Sequence, residues 1–366
     1  MDALRAVWDG GDAVLPVDPR LPAQARAALF EAVRPTVIHD GEGRRPRHGG
    51  RPVEAGDAAV IATSGTTGDP KGVTLTHDAI AASARATTRR LGVRPGQDRW
   101  LACLPLAHVG GFSVVTRALL TATDVTVLPQ FDVAEVDSAA RSPNGPATHI
   151  ALVLTAFRRI RSEHWRCIIL GGSALPPDLP GNAVRTYGMT ETGSGVVYDG
   201  IPLDGVEIRA DSSGQLEIRA PMLLRAYRLA DRDVDPRLPG GWLPTGDGGS
   251  VGADGVVRVD GRIGDVIVTG GEKVWPESVE RALADCRGVA EVGVCGVEDA
   301  DWGRRVVAFV VPIEGVDVPT LDELRAHAKL TLPAFAAPRQ LVLIGQLPKT
   351  ALGKVIRRDL PARRET

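Results

Sequence analysis

The sequence predicts an α/β protein in two parts: a large N-terminal domain of α/β sheets with a small β subdomain, then a small α+β C-terminal domain. Three observations lead to that class. Apolar runs of strand length alternate with amphipathic helical stretches along most of the chain, as α/β construction requires. From Gly205 the texture changes to shorter β segments, VEIRA and then QLEIRA. The 366 residues also exceed one ordinary domain, so two domains are the natural division.

The elements follow in chain order. Asp57–Thr63 is a short apolar run ending at a glycine loop, so it predicts a buried strand that delivers the loop to a sheet edge; Val73–Thr76 beyond it reads as extended. Asp78–Leu91 predicts a surface helix that packs Ile80, Ala84, Thr87 and Leu91 and stops at Gly92. Asp124–Leu128 and Arg166–Leu170 predict strands, the second running into Gly171, Gly172 and Ser173, and loops at such strand ends are where α/β folds bind ligands. A hairpin lies within Gly249–Gly261, turning at Gly252–Gly255. Pro276 starts a helix through Val279, Leu283 and Cys286 to Gly288, followed by strands at Glu291–Val297 and Arg305–Pro312. Thr320 and Glu323 form a capping-box pattern, and a last strand at Gln340–Ile344 leads into LPKTALGK. The boundary falls near Arg262–Asp265, giving domains 1–264 and 265–366. Gly41–Pro52 is a biased basic loop.

Composition excludes several classes. Hydrophobic residues at 43% and charged residues at 24% are globular values, not those of a disordered or membrane-spanning chain. A formal net charge of -2 gives no reason to expect a nucleic-acid partner. The first residues lack the apolar core of a signal peptide, no run of 18 apolar residues predicts an integral membrane segment, and a cytoplasmic location is the default expectation. Cys103, Cys167, Cys286 and Cys295 lie far apart, against a zinc site or disulfide framework. There is no H-E-x-x-H, no G-x-S-x-G and no dinucleotide fingerprint, which leaves chemistry without a protein nucleophile.

The densest stretch is Thr63-Ser-Gly-Thr-Thr-Gly-Asp-Pro-Lys-Gly72, with four hydroxyls, two inner glycines and one of only five lysines among 43 basic residues. It has the makings of a phosphate loop but departs from G-x-x-x-x-G-K-[ST], which opens a helix directly. Four further segments stand out: Tyr187-Gly-Met-Thr-Glu-Thr192, Thr245-Gly-Asp247, Gly261-Arg-Ile-Gly-Asp265 with its continuation to Gly271, and Pro348-Lys-Thr-Ala-Leu-Gly-Lys354. In this order and over nearly the whole chain, the five resemble the signatures of the acyl-adenylate-forming superfamily of acid–CoA ligases, luciferases and adenylation domains.

The resemblance implies ATP, Mg²⁺ and CoA as the co-substrates and ion, and it implies roles that suit the residue types. Thr63, Ser64, Gly65, Thr66, Thr67, Gly68 and Lys71 would surround the ATP phosphates, glycines allowing close approach and Lys71 supplying countercharge. Glu191 would ligate Mg²⁺, Thr190 would donate to the α-phosphate, and Tyr187 beside Gly188 would stack on adenine near Gly171 and Gly172. Asp247 would accept from the ribose hydroxyls with Arg262 at hand. Lys354 would stabilise charge as a carboxylate attacks the α-phosphate. Asp265 would be the hinge of a mobile C-terminal lid. His108, in LPLAHVGG, matches a position beside the acyl tunnel, its competing reading being a packed or capping histidine.

The extended form around Tyr187–Val206 resembles the o-succinylbenzoate–CoA ligases of menaquinone biosynthesis. Ser194 and Gly195 would leave room for a planar ring beside Ser173, and Arg158 and Arg159 are candidates for the second carboxylate of such an acid, their other reading being a basic helix face. Alternatives are another aryl- or fatty-acyl-CoA ligase, a carrier-loading adenylase or, outside enzymes, a non-catalytic adenylate-binding protein. The start is shorter than in longer members, which admits a homodimer that covers the exposed surface.

Overall fold

The structure, a computed structural model, describes residues 2–40, 43–64, 70–172, 175–176, 178–349 and 355–360. Gly65, Thr66, Thr67, Gly68, Ser173 and Lys354, together with the side chain of Ser64, lie outside the described residues. Packing divides the chain into two units. The first comprises Met1–Gly171, Pro180–Ile208 and Ile218–Pro244; the second comprises Gly172–Leu179, Arg209–Glu217 and Thr245–Thr366.

The first unit opens with helices α1 (Asp2–Asp9) and α2 (Ala23–Val33) and an antiparallel pair of short strands, β1 (Val37–Asp40) and β2 (Gly43–Pro46). Strand β3 (Asp57–Ser64) pairs antiparallel with β4 (Pro70–Thr76), and Ala58–Ile61 and Val73–Leu75 are buried as their apolar runs require. Helix α3 (His77–Leu91) begins where the Thr76 hydroxyl accepts from the Ala79 amide at 3.1 Å and ends at Gly92, whose φ of 60° is the left-handed cap glycine adopts freely. It buries Ile80, Ala84 and Thr87, the face expected from the sequence.

A run of alternating elements follows: β5 (Arg99–Ala102), α4 (Val109–Leu120), β6 (Asp124–Val127), α5 (Val133–Ala140), β7 (His149–Leu152), the short α6 (Leu154–Phe157), β8 (Cys167–Leu170), β9 (Ala183–Met189), β10 (Ser194–Tyr198) and β11 (Ile201–Pro202). Their strands make one seven-stranded sheet in the order β11-β10-β9-β8-β7-β5-β6, parallel from β6 to β9 and antiparallel at β10. Helix α4 escaped the sequence reading because it is buried along nearly its whole length, from Gly111 to Ala118, so it shows no amphipathic period.

Strands β12 (Glu207–Ala210), β13 (Gln215–Arg219), β16 (Leu243–Val251) and β17 (Val257–Arg262) form a four-stranded sheet in that order. The intervening β14 (Ala226–Arg228) and β15 (Asp233–Val234) leave it and extend the β3–β4 pair into a sheet ordered β15-β14-β4-β3. An ion-pair cluster pins that sheet: Arg225 lies 2.7 Å from the fully buried Asp57 at the head of β3 and 2.5 Å from Asp233 on β15. The two carboxylates raise the Arg225 guanidinium further against the cost of burial, so it stays charged.

In the second unit β18 (Ile267–Thr269), β19 (Glu272–Val274), β20 (Val289–Asp299), β21 (Gly303–Pro312) and β22 (Gln340–Leu343) make a five-stranded sheet, with β22 parallel to β21. Helices α7 (Pro276–Leu283) and α8 (Leu321–Ala328) bury Val279, Leu283, Leu324 and Ala328 in one core with Val294, Val306, Ala308 and Val310. The alternate strand positions Val307 and Phe309 pack with Val342, Leu347 and Leu360 in a second core. The capping box forms, with the Thr320 amide donating to Glu323 at 2.7 Å and the Glu323 amide to the Thr320 hydroxyl at 3.3 Å. Residues Thr245–Arg262 pack with these elements because Trp275 and Glu277 lie directly on Gly248 and Gly261. The boundary expected near Arg262–Asp265 falls inside this second unit.

Buried Glu280 on α7 sits beside Arg357. Burial, against the pull of that guanidinium, pushes its carboxyl up to about 7 from an ordinary 4.5. The folded chain thus keeps a proton that the unfolded chain releases near 4.5, so this group's contribution to stability is full below that pH and is lost as pH rises to about 7. Urea unfolding of Glu280→Gln should show a flatter stability curve than wild type in that window, and an unchanged slope would assign the titration to another group.

Candidate active site

The first unit's polar cluster is assembled by β4. Thr63 of β3 is registered opposite Lys71 at the start of β4, and Tyr227 of β14 stands opposite Val73 on the other side. The Lys71 ammonium lies 3.3 Å from the centroid of the Tyr227 ring, a cation–π contact. The same tyrosine's hydroxyl donates to Glu191 Oε1 at 2.8 Å. The Thr63 hydroxyl is buried and has no hydrogen-bond partner among the described residues. A buried hydroxyl without a partner costs roughly 1–3 kcal/mol, which a ligand oxygen would recover. An ammonium, a carboxylate and an unspent hydroxyl therefore converge where the sequence expects phosphate, although Tyr227 was given no role there.

Glu191 occupies a 3₁₀ turn, Thr190–Thr192, between β9 and β10. Thr192 holds that turn: its hydroxyl accepts from the Met189 amide at 2.9 Å and donates to the Ser194 carbonyl at 2.6 Å. The Glu191 carbonyl accepts from the Leu224 amide at 2.7 Å, which fixes the backbone and leaves the carboxylate to the Tyr227 hydroxyl. Gly188 has no room for a side chain, since a Cβ there would overlap the Ser194 carbonyl of the paired strand β10. Tyr187, directly opposite Val197, is half-buried on β9, and Gly171 follows β8 against Thr186. Gly172 falls in the second unit.

Behind this turn lies a residue that sequence reasoning missed. Arg117 of α4 is 2% exposed, donates from Nη2 to the Ser194 hydroxyl at 3.0 Å, and stacks its guanidinium 4.8 Å from the Trp100 ring centroid. Its Nε and Nη1 have no partner among the described residues. Burial lowers its proton affinity below that of an ordinary guanidinium, yet no carboxylate among the described residues offsets its charge. A cavity of 10 Å³ lined by Phe112, Ser113, Thr116, Arg117 and Gly193 lies beside it and could admit at most one water-sized group. Arg158 and Arg159 follow the four-residue α6 and are exposed, Arg159 lying over the Phe131 ring. The signal for Arg117 was a charge inside an otherwise apolar stretch, FSVVTRALL, which becomes meaningful only once α4 is known to be buried.

His108 is the residue before α4 and makes no side-chain cap. Burial lowers its pKa, with Asp18 pulling the other way, so the imidazole is neutral at pH 7. Gly195 sits on β10 opposite Gly188.

In the second unit Asp247 and Arg262 stand directly opposite each other on β16 and β17, with Nε 2.9 Å from Oδ1. Thr245 builds the turn around them: its hydroxyl donates to the Leu216 carbonyl at 2.7 Å and accepts from the Asp247 amide at 3.0 Å, and its carbonyl accepts from Arg262 Nη1 at 3.0 Å. Asp247 is thereby held 6% exposed beside a half-exposed cation, a geometry suited to receiving paired hydroxyls. Asp265 ends a 3₁₀ turn and is ion-paired with Arg357 at 3.0 Å.

No group of three or more His, Cys, Asp or Glu among the described residues could hold a metal by itself. One carboxylate, Glu191, next to a site for phosphates is the donor set that suits magnesium, which keeps waters and takes substrate oxygens. It does not suit zinc, which wants nitrogen and sulfur.

The family model of AMP-binding enzymes matches residues 47–235, and that of the AMP-binding enzyme C-terminal domain matches 278–354. The chain is 37% identical over 334 residues to a probable 2-succinylbenzoate–CoA ligase of Mycobacterium tuberculosis, covering 86% of each. To the 2-succinylbenzoate–CoA ligase of Bacillus cereus it is 31% identical over 335 residues, covering 82% of this chain and 69% of the relative. Among solved structures, o-succinylbenzoate CoA synthetase (MenE) from Bacillus subtilis with the acyl-adenylate intermediate OSB-AMP is similar at a TM-score of 0.74 and 29% identity, covering 88% of this chain and 73% of that one. The same synthetase with ATP and a magnesium ion is similar at 0.73 and 30%, covering 85% and 72%.

An unpaired buried cation is costly, and even a buried ion pair can be replaced by apolar side chains of similar volume with a neutral or stabilising effect of about 1–4 kcal/mol. Arg117→Met should accordingly unfold at the same or higher denaturant concentration than wild type. A clear loss of stability would mean that the guanidinium serves packing and not a ligand.

Proposed function

The chain belongs to the family of AMP-binding enzymes, and from that premise we propose that it joins 2-succinylbenzoate to coenzyme A at the expense of ATP. The acid's carboxylate attacks the α-phosphorus, the bond to pyrophosphate breaks, and acyl-AMP forms. The CoA thiol then adds to the acyl carbonyl, loses its proton, and displaces AMP to leave the thioester, an activated acyl group for menaquinone biosynthesis.

The observation that carries the choice of acid is Arg117. A substrate with a second carboxylate gives this buried, uncompensated guanidinium a partner at the Ser194 end, whereas a plain benzoate or alkanoate leaves it unpaired. In this reading Thr63 and Lys71 grip the β- and γ-phosphates, with Ser64, Gly65, Thr66, Thr67 and Gly68 completing the loop. Tyr187 and Gly188 face the adenine with Gly171 and Gly172, and Thr190 donates to the α-phosphate. Asp247 and Arg262 take the ribose. Glu191, oriented by Tyr227, would hold Mg²⁺, which neutralises phosphate charge when bound. Gly195, Ser173 and neutral His108 border the acyl group, and Arg158 and Arg159 remain outer cations for it. Lys354 stabilises the charge that develops as two anions meet.

Domains 1–264 and 265–366 turn about Asp265 between the half-reactions. All four cysteines are free thiols and no described helix is long and apolar enough to cross a membrane, which supports placing the enzyme in the cytoplasm. A homodimer is part of the reading, with a cleft of 1580 Å³ in the first unit, lined by Leu4, Val7, Leu15, Phe30 and Val53 among others, as the face a second copy would cover.

Mass spectrometry should detect the CoA thioester when chain, ATP, Mg²⁺, CoA and 2-succinylbenzoate are combined; turnover of benzoates or alkanoates without it would replace the acid. Lys354→Ala should depress acid-dependent pyrophosphate exchange by roughly 10²–10³ with little change in ATP affinity. Light scattering should give twice the chain mass, and a monomer at assay concentration would remove the dimer.

A further inference from the structure

Gly248 and Gly261 face each other on β16 and β17, one pair along from Asp247 and Arg262. Neither has room for a side chain. A Cβ on Gly248 would overlap the Trp275 ring, and one on Gly261 would overlap the Glu277 carboxylate. Two bare positions on paired strands thus form a socket, filled by Trp275, the residue before α7, and Glu277 in its first turn.

The seated side chains are tied to one guanidinium. Arg357 Nη1 lies 3.0 Å from Glu277 Oε1 and 3.0 Å from Asp265 Oδ2, Nη2 donates to Glu280 at 2.7 Å, and Nε donates to the Val294 carbonyl at 3.2 Å. The Val294 amide returns to Glu280 Oε1 at 2.8 Å. Arg357 is 10% exposed, so these contacts form largely away from water. Glu277 Oε2 is buried without a hydrogen-bond partner among the described residues, a penalty that weakens the seated state and so favours release.

The socket precedes Asp265 in the chain, and Trp275 and Glu277 follow it. A turn of the backbone at Asp265 therefore moves one set past the other and pulls the Asp265 carboxylate from Arg357. We infer that Trp275, Glu277 and Arg357 are positioning residues forming a latch: they seat α7 on the Gly248–Gly261 socket, steady the adjoining Asp247–Arg262 pair, and let go when the hinge turns. The inference rests on the two-half-reaction reading and on Asp265 as its hinge. A latch closed in one arrangement only favours one half-reaction over the other, whereas ordinary packing supports both alike.

The test measures acid-dependent ATP–pyrophosphate exchange and CoA transfer from preformed acyl-AMP as separate rates. Trp275→Ala, Arg357→Ala and Gly248→Ala attack the contact from three sides, the last keeping the ring but closing its seat. All three should shift the ratio of the two rates in the same direction, by about tenfold or more. Arg357→Lys should recover part of the shift, since an ammonium still pairs with carboxylates. Amide exchange across residues 245–275 should quicken in all three while β5–β9 stay protected, which separates release of the latch from unfolding. Equal loss of both rates, or shifts of opposite sign, would overturn the latch. A wild-type chain with neither rate would instead refute the functional reading.

Discussion

The pairing of β4 with β3 on one side and β14 on the other is the constraint on which the first unit's site depends. It brings Thr63 and Lys71 into register and sets Tyr227 beside them from a distant part of the chain. Because successive strand residues alternate faces, a one-residue slip at β14 would turn Tyr227 away from both Lys71 and Glu191. The Arg225–Asp57–Asp233 cluster resists that slip, since it ties the head of β3 to β15 through buried ion pairs. An ordinary-looking charge cluster thus supports the chemistry without touching it.

The site's electrostatics follow one pattern. Charges that serve structure are paired: Asp57 with Arg225, and Arg357 with Asp265, Glu277 and Glu280. The cation expected to meet the acid is not. Arg117 has a hydroxyl and an aromatic face for company and, among the described residues, no carboxylate. In the proposed reading, keeping it so costs stability that an arriving anion would recover, which is how an unsatisfied buried group would become a specificity element. Lys71 is held differently, its ammonium resting on the Tyr227 ring.

In the proposed reading, the second unit couples a nucleotide-binding pair to motion. Asp247 and Arg262 are fixed by hydrogen bonds around Thr245, while the next pair of positions is stripped to glycine so that α7 can sit against them. Rigidity next to the ligand and release next to the hinge are opposite demands. Here they are met by different residues of one hairpin.

Much was legible locally. The Thr76 cap, the Gly92 stop and the Thr320–Glu323 box depend on residues a few positions apart, so the sequence carried them, as it carried the five signature segments and their order. Helix α7 ends at Leu283, short of Gly288, because Cys286 packs into the core from a turn where an apolar residue was read as helical. Tyr227 and Arg117 were not legible at all. Their meaning comes from partners 36 and 77 positions away, reached by strand pairing and by burial of a helix with no polar face. The sequence alone determined the kind of chemistry, because phosphate loops and caps are local arrangements of glycines, hydroxyls and charges. Only the tertiary structure decided which tyrosine meets Glu191, which arginine is buried beside Ser194 and why Gly248 and Gly261 are bare, because each depends on what the fold packs against it.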